Sequence, residues 1–396
     1  MTMAAAMQGR KADTPAWSQS SRIAAIDIFN DIDEVEAIWR SLENQRHLST
    51  PYQRLDFLRP WQKLVGTREG VQPLIVVAYD RDRMPLLLLP LVLKRGWGTR
   101  SAHFMGGKHA TFNMALWNRD FATVASRADL NALFASIRDK AGVDVLAFEQ
   151  QPLAWQGLPN PFALLPHQTS PNDCPTMTFA PGSTDTMRIS NSVRRRLKGK
   201  ERKLKALPGY RYQIATADAD IKRLLDAFFR IKPQRMAEQG LPDVFAEPGV
   251  EDFIRTACTT LLPDGGRAID IHALESDEDV IAVFAGVADG HRFSMMFNTY
   301  TLSASSRFSP GLILIRHIVD HYAERGYRAL DLGIGSDDYK KLFCKTNEAI
   351  FDCFIPLSPR GSAVTAIMSS VSRAKRVIKR SPALSHLAQR LRYAFR

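Results

Sequence analysis

The chain has 396 residues, enough for two domains of ordinary size, with 45% apolar and 24% charged residues, the proportions of a globular protein. Its longest apolar run, Pro85–Leu93, falls well short of the ~20 residues that a membrane-spanning helix needs, which excludes a transmembrane class. The net charge of +12 is concentrated: Arg188–Lys205 holds nine Lys/Arg against Glu201 alone, and Arg360–Arg396 holds nine with no acid, so the body is mildly acidic. That distribution favours local contact with an anionic surface over a field spread across a nucleic acid.

Met1–Ser21 is polar and rich in Ala and Ser, without the apolar segment of a secretory signal, and reads as a disordered lead. A first α/β domain over residues 22–151 begins with a strand, Ile23–Phe29. Helices over Asp33–Leu48 and Asp56–Val65 follow, each with an Asp near its start. Pro73–Tyr79 and Met84–Lys94 form a hairpin about the charged turn Asp80–Arg83. A strand at Ser101–Met105, a helix at Ala128–Ala141 and a strand at Val143–Glu149 complete this half. Residues 152–189, rich in Pro, Gln, Asn and Ser, read as a linker.

The second domain, residues 190–358, opens on a basic helix, Asn191–Leu204, and then repeats the order of the first. Tyr210–Ala217 is a strand, Ile221–Glu238 and Val250–Leu262 are helices. Ala268–Leu274, Val280–Ala288 and His291–Tyr300 are strands. A helix over Leu312–Arg325, a strand over Ala329–Ile334 and a helix opening at Asp337 end it. The fold class is therefore α/β (α+β), two tandem domains, each a mixed, mostly antiparallel sheet flanked by helices. Residues 359–396 form a basic amphipathic tail of two short helices. Val364, Ile367, Met368, Val371 and Ile378 keep helical spacing in the first, and Leu384, Leu387, Leu391 and Phe395 in the second, which starts at Ser381-Pro382.

Chemistry concentrates in residues 291–345. A strand ends at Asn298-Thr299-Tyr300, a Ser-rich loop carries Arg307 and Ser309, and Pro310-Gly311-Leu312 opens a helix. Pro is shaped for a first helical turn, and Gly admits a ligand close to the backbone. The free N–H groups of that turn and the positive end of the helix dipole make an anion site, with Arg307 placed to pair with a phosphate. The helix ends at Gly326. Ala329–Gly335 is a buried strand ending in glycines, and Asp337 starts the next helix.

This strand–phosphate loop–helix–strand–helix order resembles the cofactor core of the N-acetyltransferase (GNAT) superfamily. "SRFSPGLIL…GYRALDLGIGSDDYKKLF", "RIKPQRMAEQGLPDVFAEPGVEDFI" and "NSVRRRLKGKERKL" resemble segments of the CelD/BcsL-like (BioF2-like) acetyltransferases. The two-half pattern is similar to the double-GNAT arrangement of the FemABX aminoacyltransferases. The resemblance covers Asn191 to about Leu357 well and the first half loosely. It implies a transferase that uses acetyl-CoA or another acyl-CoA, with no metal, on an amine or hydroxyl of a sugar, polysaccharide or cell-envelope precursor, and points to exopolysaccharide or cellulose production. The loop Arg307–Gly311 departs from the usual Q/R-x-x-G-x-G/A, which leaves another activated acyl carrier open as donor. The implied cofactor-binding set is Asn298, Arg307, Ser309, Pro310, Gly311 and Leu312.

In related folds a Tyr past the strand carrying Asp331 donates to the leaving thiolate. Tyr339 takes that role here as the acid, set against packing on the sheet edge. Asp331, mid-strand in an apolar run, is the base or is held by neighbouring backbone. Lys340 binds acceptor or phosphate, or is a solvated helix Lys. Lys232 and Arg235, i and i+3 on one helix face, are a candidate anion clamp. His109 and Asn113, in the Gly-rich turn of the first half, would line the cleft if the domains face each other.

Other constellations carry less. His317 and His321 have zinc-like spacing without the intervening Glu of a metalloprotease, and no G-x-S-x-G elbow or P-loop occurs. Cys174, Cys258, Cys344 and Cys353 show no C-x-x-C spacing, which fits a reducing cytoplasm. The tail suits an anionic membrane surface, peripheral to an inner membrane, or docking on the protein itself. No aromatics interleave with the Lys/Arg runs, which argues against nucleic acid. The oligomeric state has no signal in the sequence. Rival readings are a non-catalytic accessory protein that binds a polysaccharide synthase or the membrane, and a FemABX-like aminoacyltransferase.

Overall fold

A computed structural model describes residues 21–96, 98–180, 189–335 and 337–381. The expected disordered lead, apart from Ser21, and the second tail helix lie outside the described residues.

The first half contributes β1 (Ala25–Phe29), β2 (His47–Leu48), β3 (Gln72–Tyr79), β4 (Pro85–Gly96), β5 (Thr99–Phe104), β6 (Leu116–Asn118) and β7 (Val145–Pro152). Its helices are α1 (Glu36–Ser41), α2 (Leu55–Trp61), α3 (Arg119–Val124) and α4 (Arg127–Ala141). Local chemistry sets α4: Ser126 and Asp129 form a capping box, and Gly142 ends the helix in the left-handed region. The expected helix Asp33–Leu48 is shorter, because the chain turns into β2 to pair with β6.

The stretch expected as a linker is structured. It holds the small hairpin β8 (Ala154–Trp155) and β9 (Leu158–Pro159), then β10 (Gln168–Thr169) and β11 (Cys174–Thr178). The second half adds α5 (Asn191–Leu204), β12 (Arg211–Ile214), α6 (Asp218–Glu238), α7 (Val250–Thr259), β13 (Asp270–Glu275), β14 (Val280–Ala288) and β15 (Arg292–Tyr300). Then come α8 (Pro310–Glu324), β16 (Ala329–Asp331), β17 (Thr346–Glu348), β18 (Ile350–Pro356) and α9 (Pro359–Arg380). No helix among the described residues is long and apolar enough to cross a membrane.

The first sheet runs β1-β3-β4-β5-β7-β18-β10, with β2 and β6 off that path, and the second β12-β13-β14-β15-β16-β11-β17. In each, antiparallel strands lead to one parallel pair, β5 with β7 and β15 with β16, joined through a helical crossover. Beyond that pair each sheet is finished by strands from elsewhere in the chain. β18, which the sequence groups with the second half, pairs with β7 of the first. β11, from the expected linker, pairs with β16 and β17.

One apolar core runs through both halves, and a second packs α5 and α8 against the second sheet. Phe57 of α2 meets Phe253 of α7 edge to face at 5.3 Å. Gly249, at φ +85°, starts α7 so close to the first half that a Cβ would lie 2.0 Å from the Leu64 carbonyl oxygen. Ion pairs Arg68–Asp252 (3.0 Å) and Lys108–Glu247 span the same boundary.

The helix expected from Asp337 does not form. Only a 3₁₀ turn, Lys340–Leu342, is present before the chain extends into β17. Lys340, 2% exposed, turns inward there, and Thr346 must reach the ladder opposite Thr176. Those two demands leave no room for successive α-turns.

Candidate active site

β15 and β16 run parallel through Arg292–Ala329, Phe293–Leu330 and Ser294–Asp331 and then part. Just past the last of these pairs, Met296 is an extra residue in β15, a β-bulge opposite Ala285–Gly286. The gap is walled on the other side by Leu332–Gly335. Gly333, at φ +72°, could not carry a side chain without strain, and a Cβ there would lie 2.9 Å from the Met295 carbonyl oxygen, too close for one to fit.

Asp331 fixes this divergence. Its carboxylate is fully buried, accepts from the Ser294 hydroxyl and takes the Gly333 N–H at 3.0 Å. Burial pushes its pKa up to about 6, against the pull of the Arg292 charge and of those hydrogen bonds. The Tyr52 hydroxyl of the first half is buried beside this cluster without a well-aligned hydrogen-bond partner. Arg292 itself pairs with Glu348 at 2.6 Å and stacks over Trp155 at 4.2 Å, so the expected linker supplies part of the wall.

Lys340 holds the turn from below, its ammonium donating to the Gly333 and Ile334 carbonyls at 3.1 and 2.9 Å. Burial lowers its pKa, and Asp337 at 3.6 Å opposes that. This lysine is neither a solvated helix residue nor open to an acceptor, as the sequence alone allowed. Tyr339 packs against the second core with the Asn298 side chain beside its hydroxyl. Burial raises its pKa, and Asn298 works against that shift.

Lys232 and Arg235 do share a helix face, but both serve the end of β15. Lys232 donates to the Asn298 carbonyl at 3.0 Å, and burial lowers its pKa. Arg235 stacks on the Tyr300 ring at 3.5 Å and reaches the Thr301 carbonyl at 3.4 Å. They brace the strand rather than form a free anion clamp.

The loop before α8 has the helix start that the sequence predicts. Ser309 sits in the left-handed region at φ 56°, and Pro310 occupies the first helical position. The N–H groups of Leu312 and Ile313 bond back to the Ser309 carbonyl at 3.1 and 3.2 Å, which occupies two donors that the sequence left free. The Gly311 N–H is the first-turn donor without a backbone partner. Lys200 of α5 reaches the Ser309 hydroxyl at 2.7 Å and adds a cation that the sequence reading missed. Its place in a basic run was visible, but its contact with a loop 109 residues away was not. Arg307 is exposed over the Phe308 ring.

A cavity of about 320 Å³ opens between the halves at the bulge. Phe245, Phe253, Met295, Met296, His109 and Thr111 line it. His109 therefore faces the cleft, as the sequence suggested. Trp61 donates its indole N–H to His109 Nδ1 at 3.0 Å, so the neutral ring carries its proton on Nε2. Burial and the Lys108 charge lower its pKa and keep it neutral. Asn113 is not in this cavity. It is buried in the first half, where its amide donates to the Glu149 carbonyl at 3.1 Å. No group of three or more potential metal ligands occurs among the described residues.

The two halves repeat one arrangement, an antiparallel sheet that ends in a parallel pair which then parts. Residues 191–341 match the family described as "Acetyltransferase (GNAT) domain". The solved structure of FemX is similar with a TM-score of 0.56 at 10% identity, over 86% of this chain and 99% of that one. A conserved protein of unknown function from Bacteroides thetaiotaomicron gives 0.51 at 11% identity, over 84% and 100%. The C-terminal domain of an Agrobacterium fabrum protein assigned as a lysylphosphatidylglycerol synthetase gives 0.50 at 10%, over 86% and 96%. At such identities the likeness is one of fold. No curated protein sequence matches the chain.

Proposed function

We propose that the chain is an acyltransferase whose donor, acetyl-CoA or another acyl-CoA, lies across the gap between β15 and β16, and whose acceptor enters from the cavity between the halves. The observation that carries this reading is the divergence itself. A bulged strand and a glycine turn bound the gap, and β15 leads from it to the helix start where Lys200 meets Ser309. An amine or hydroxyl attacks the acyl carbonyl, the C–S bond breaks, Tyr339 protonates the departing thiolate, and the proton shed by the acceptor passes through solvent to restore Tyr339. Tyr339 enters the reaction protonated; burial, which raises its pKa, makes it a weaker acid, and the Asn298 side chain opposes that shift. Asp331 acts through the turn, because its oxygens are engaged by Ser294 and Gly333.

His109 offers an Nε2–H donor to the acceptor rather than a free base. The mostly apolar cavity supports an acceptor whose reactive group sits beside an apolar body. A cell-envelope or polysaccharide precursor, as the CelD/BcsL resemblance implies, would present its amine or hydroxyl there, with the polar remainder outside.

Titration calorimetry with acetyl-CoA and other acyl-CoA thioesters tests the donor. Binding is expected in the wild-type chain and lost in Gly311→Trp, with Arg307→Ala weakened. Absence of binding to every thioester, together with full function of both variants in cells, would favour the non-catalytic accessory reading.

A further inference from the structure

The parallel pair in the first half parts as well. β5 and β7 pair through Ser101–Val145, Ala102–Leu146 and His103–Ala147 and then separate. At that point lies a cavity of about 480 Å³, with α9 as one wall. This volume is that of a small-molecule site. Four ammonium groups line it, from Lys94 and Lys108 of the first half and Lys375 and Lys379 of α9, against one carboxylate, Glu149. Lys108 is tied to Glu247, Lys94 lies 3.6 Å from Glu69, and Lys379 bonds to Asn172. Lys375 has no acidic side chain within ion-pair distance among the described residues, so the lining keeps a positive excess. Deep in the same lining, Asn113 Oδ1 is buried without a donor. A buried acceptor left unpaired is costly, which favours a ligand that donates to it.

The cavity also continues onto an apolar surface. α9 buries Gly361, Val364, Thr365 and Ser372 against the first sheet. One turn aside it leaves Ile367, Val371 and Ile378 at 47%, 45% and 37% exposure, and Val371 belongs to the cavity wall as well. Cations at the mouth, hydroxyl acceptors within and an apolar stripe alongside match one chemistry, an amphiphile with a hydroxylated phosphate head.

We infer that the cavity beneath α9 binds the hydroxylated phosphate headgroup of an anionic lipid, with Lys94 and Lys375 at the phosphate, Asn113 and Glu149 accepting from hydroxyls, and Ile367, Val371 and Ile378 against the acyl region. This site adjoins the cavity between the halves at Lys108, which lines both, but it rests on its own observations and stands whether or not the acyl-transfer reading holds.

Flotation of the full chain with phosphatidylcholine vesicles, with and without phosphatidylglycerol, tests it. Binding is expected only with phosphatidylglycerol, and free glycerol phosphate should compete. Lys94→Gln/Lys375→Gln should weaken it by roughly thirtyfold, since each surface cation contributes about fivefold at an anionic bilayer. Ile367→Asp should weaken flotation while leaving glycerol phosphate binding intact. Lys203→Gln/Lys205→Gln at the C-terminal end of α5, an equal loss of charge elsewhere, should change little. Equal loss in both double variants would reduce the effect to general attraction and overturn the pocket. Saturable glycerol phosphate binding without flotation would replace the lipid by a soluble phosphate, and absence of both would remove the site.

Discussion

Glu201 and Asp331 are both buried carboxylates, and their neighbours drive them in opposite directions. Burial pushes Glu201 up, but hydrogen bonds from His317 (2.6 Å) and Arg316 (2.7 Å), with the Arg316 charge, hold it down to about 2. Its folded value lies below the ordinary glutamate value of 4.5, so its stabilisation is complete above that pH and is lost as pH falls toward 2. Glu201→Gln should lower the unfolding free energy at pH 7 by on the order of 2 kcal/mol and flatten its fall below pH 4.5, read from urea midpoints. Asp331, at about 6 against 3.8, carries a penalty above pH 6 that fades as pH falls. The stability of Asp331→Asn relative to wild type should therefore be more favourable at pH 8 than at pH 4. A constant difference across that range would show that Asp331 does not titrate differently on folding. For Tyr339, replacement by Phe keeps the packing and removes the proton. The expected result is a fall in kcat of roughly 10²-fold with donor binding unchanged, and unchanged kcat would remove Tyr339 from the chemistry.

At the scale of elements, what matters is how closely α7 approaches the first half. The left-handed φ of Gly249 and the Leu64 carbonyl beneath it leave no place for a Cβ. Gly249→Ala should destabilise the chain by about 2 kcal/mol or more, measurable as a lowered thermal midpoint. It should also loosen the cavity in which His109 and Phe253 meet. Elements with strong periodicity or capping were legible in the sequence: α4, α6 and α9, and the β3–β4 hairpin. The short strands β6, β10, β11 and β17 were not, because each is held by a partner distant in sequence rather than by its own pattern.

Across the whole molecule, the exchange of strands joins the two halves. Without β18 the first sheet has an open edge at β7, and without β11 the second has one at β16. Residues 22–151 expressed alone are therefore expected to be aggregated or molten, whereas the full chain should unfold in one cooperative transition by calorimetry and circular dichroism. Two well-separated transitions would mean that the halves fold independently despite their shared core.

Sequence by itself determined the order of strands and helices in each half, the repeat of that order, the Ser309-Pro310-Gly311 helix start and the cationic character of α5 and α9. Those are local properties, written in hydrophobic period, capping residues and charge runs. Tertiary structure decided the rest. It placed Lys340 under the Gly333 turn, turned Lys232 and Arg235 onto the backbone of β15, and brought His109 to the cavity but not Asn113. It also showed that residues 168–178, read as a linker, and 350–356, read with the second half, close both sheets. The reason is that a side chain's role in a cleft depends on pairings between segments up to two hundred residues apart, whose register no local pattern carries.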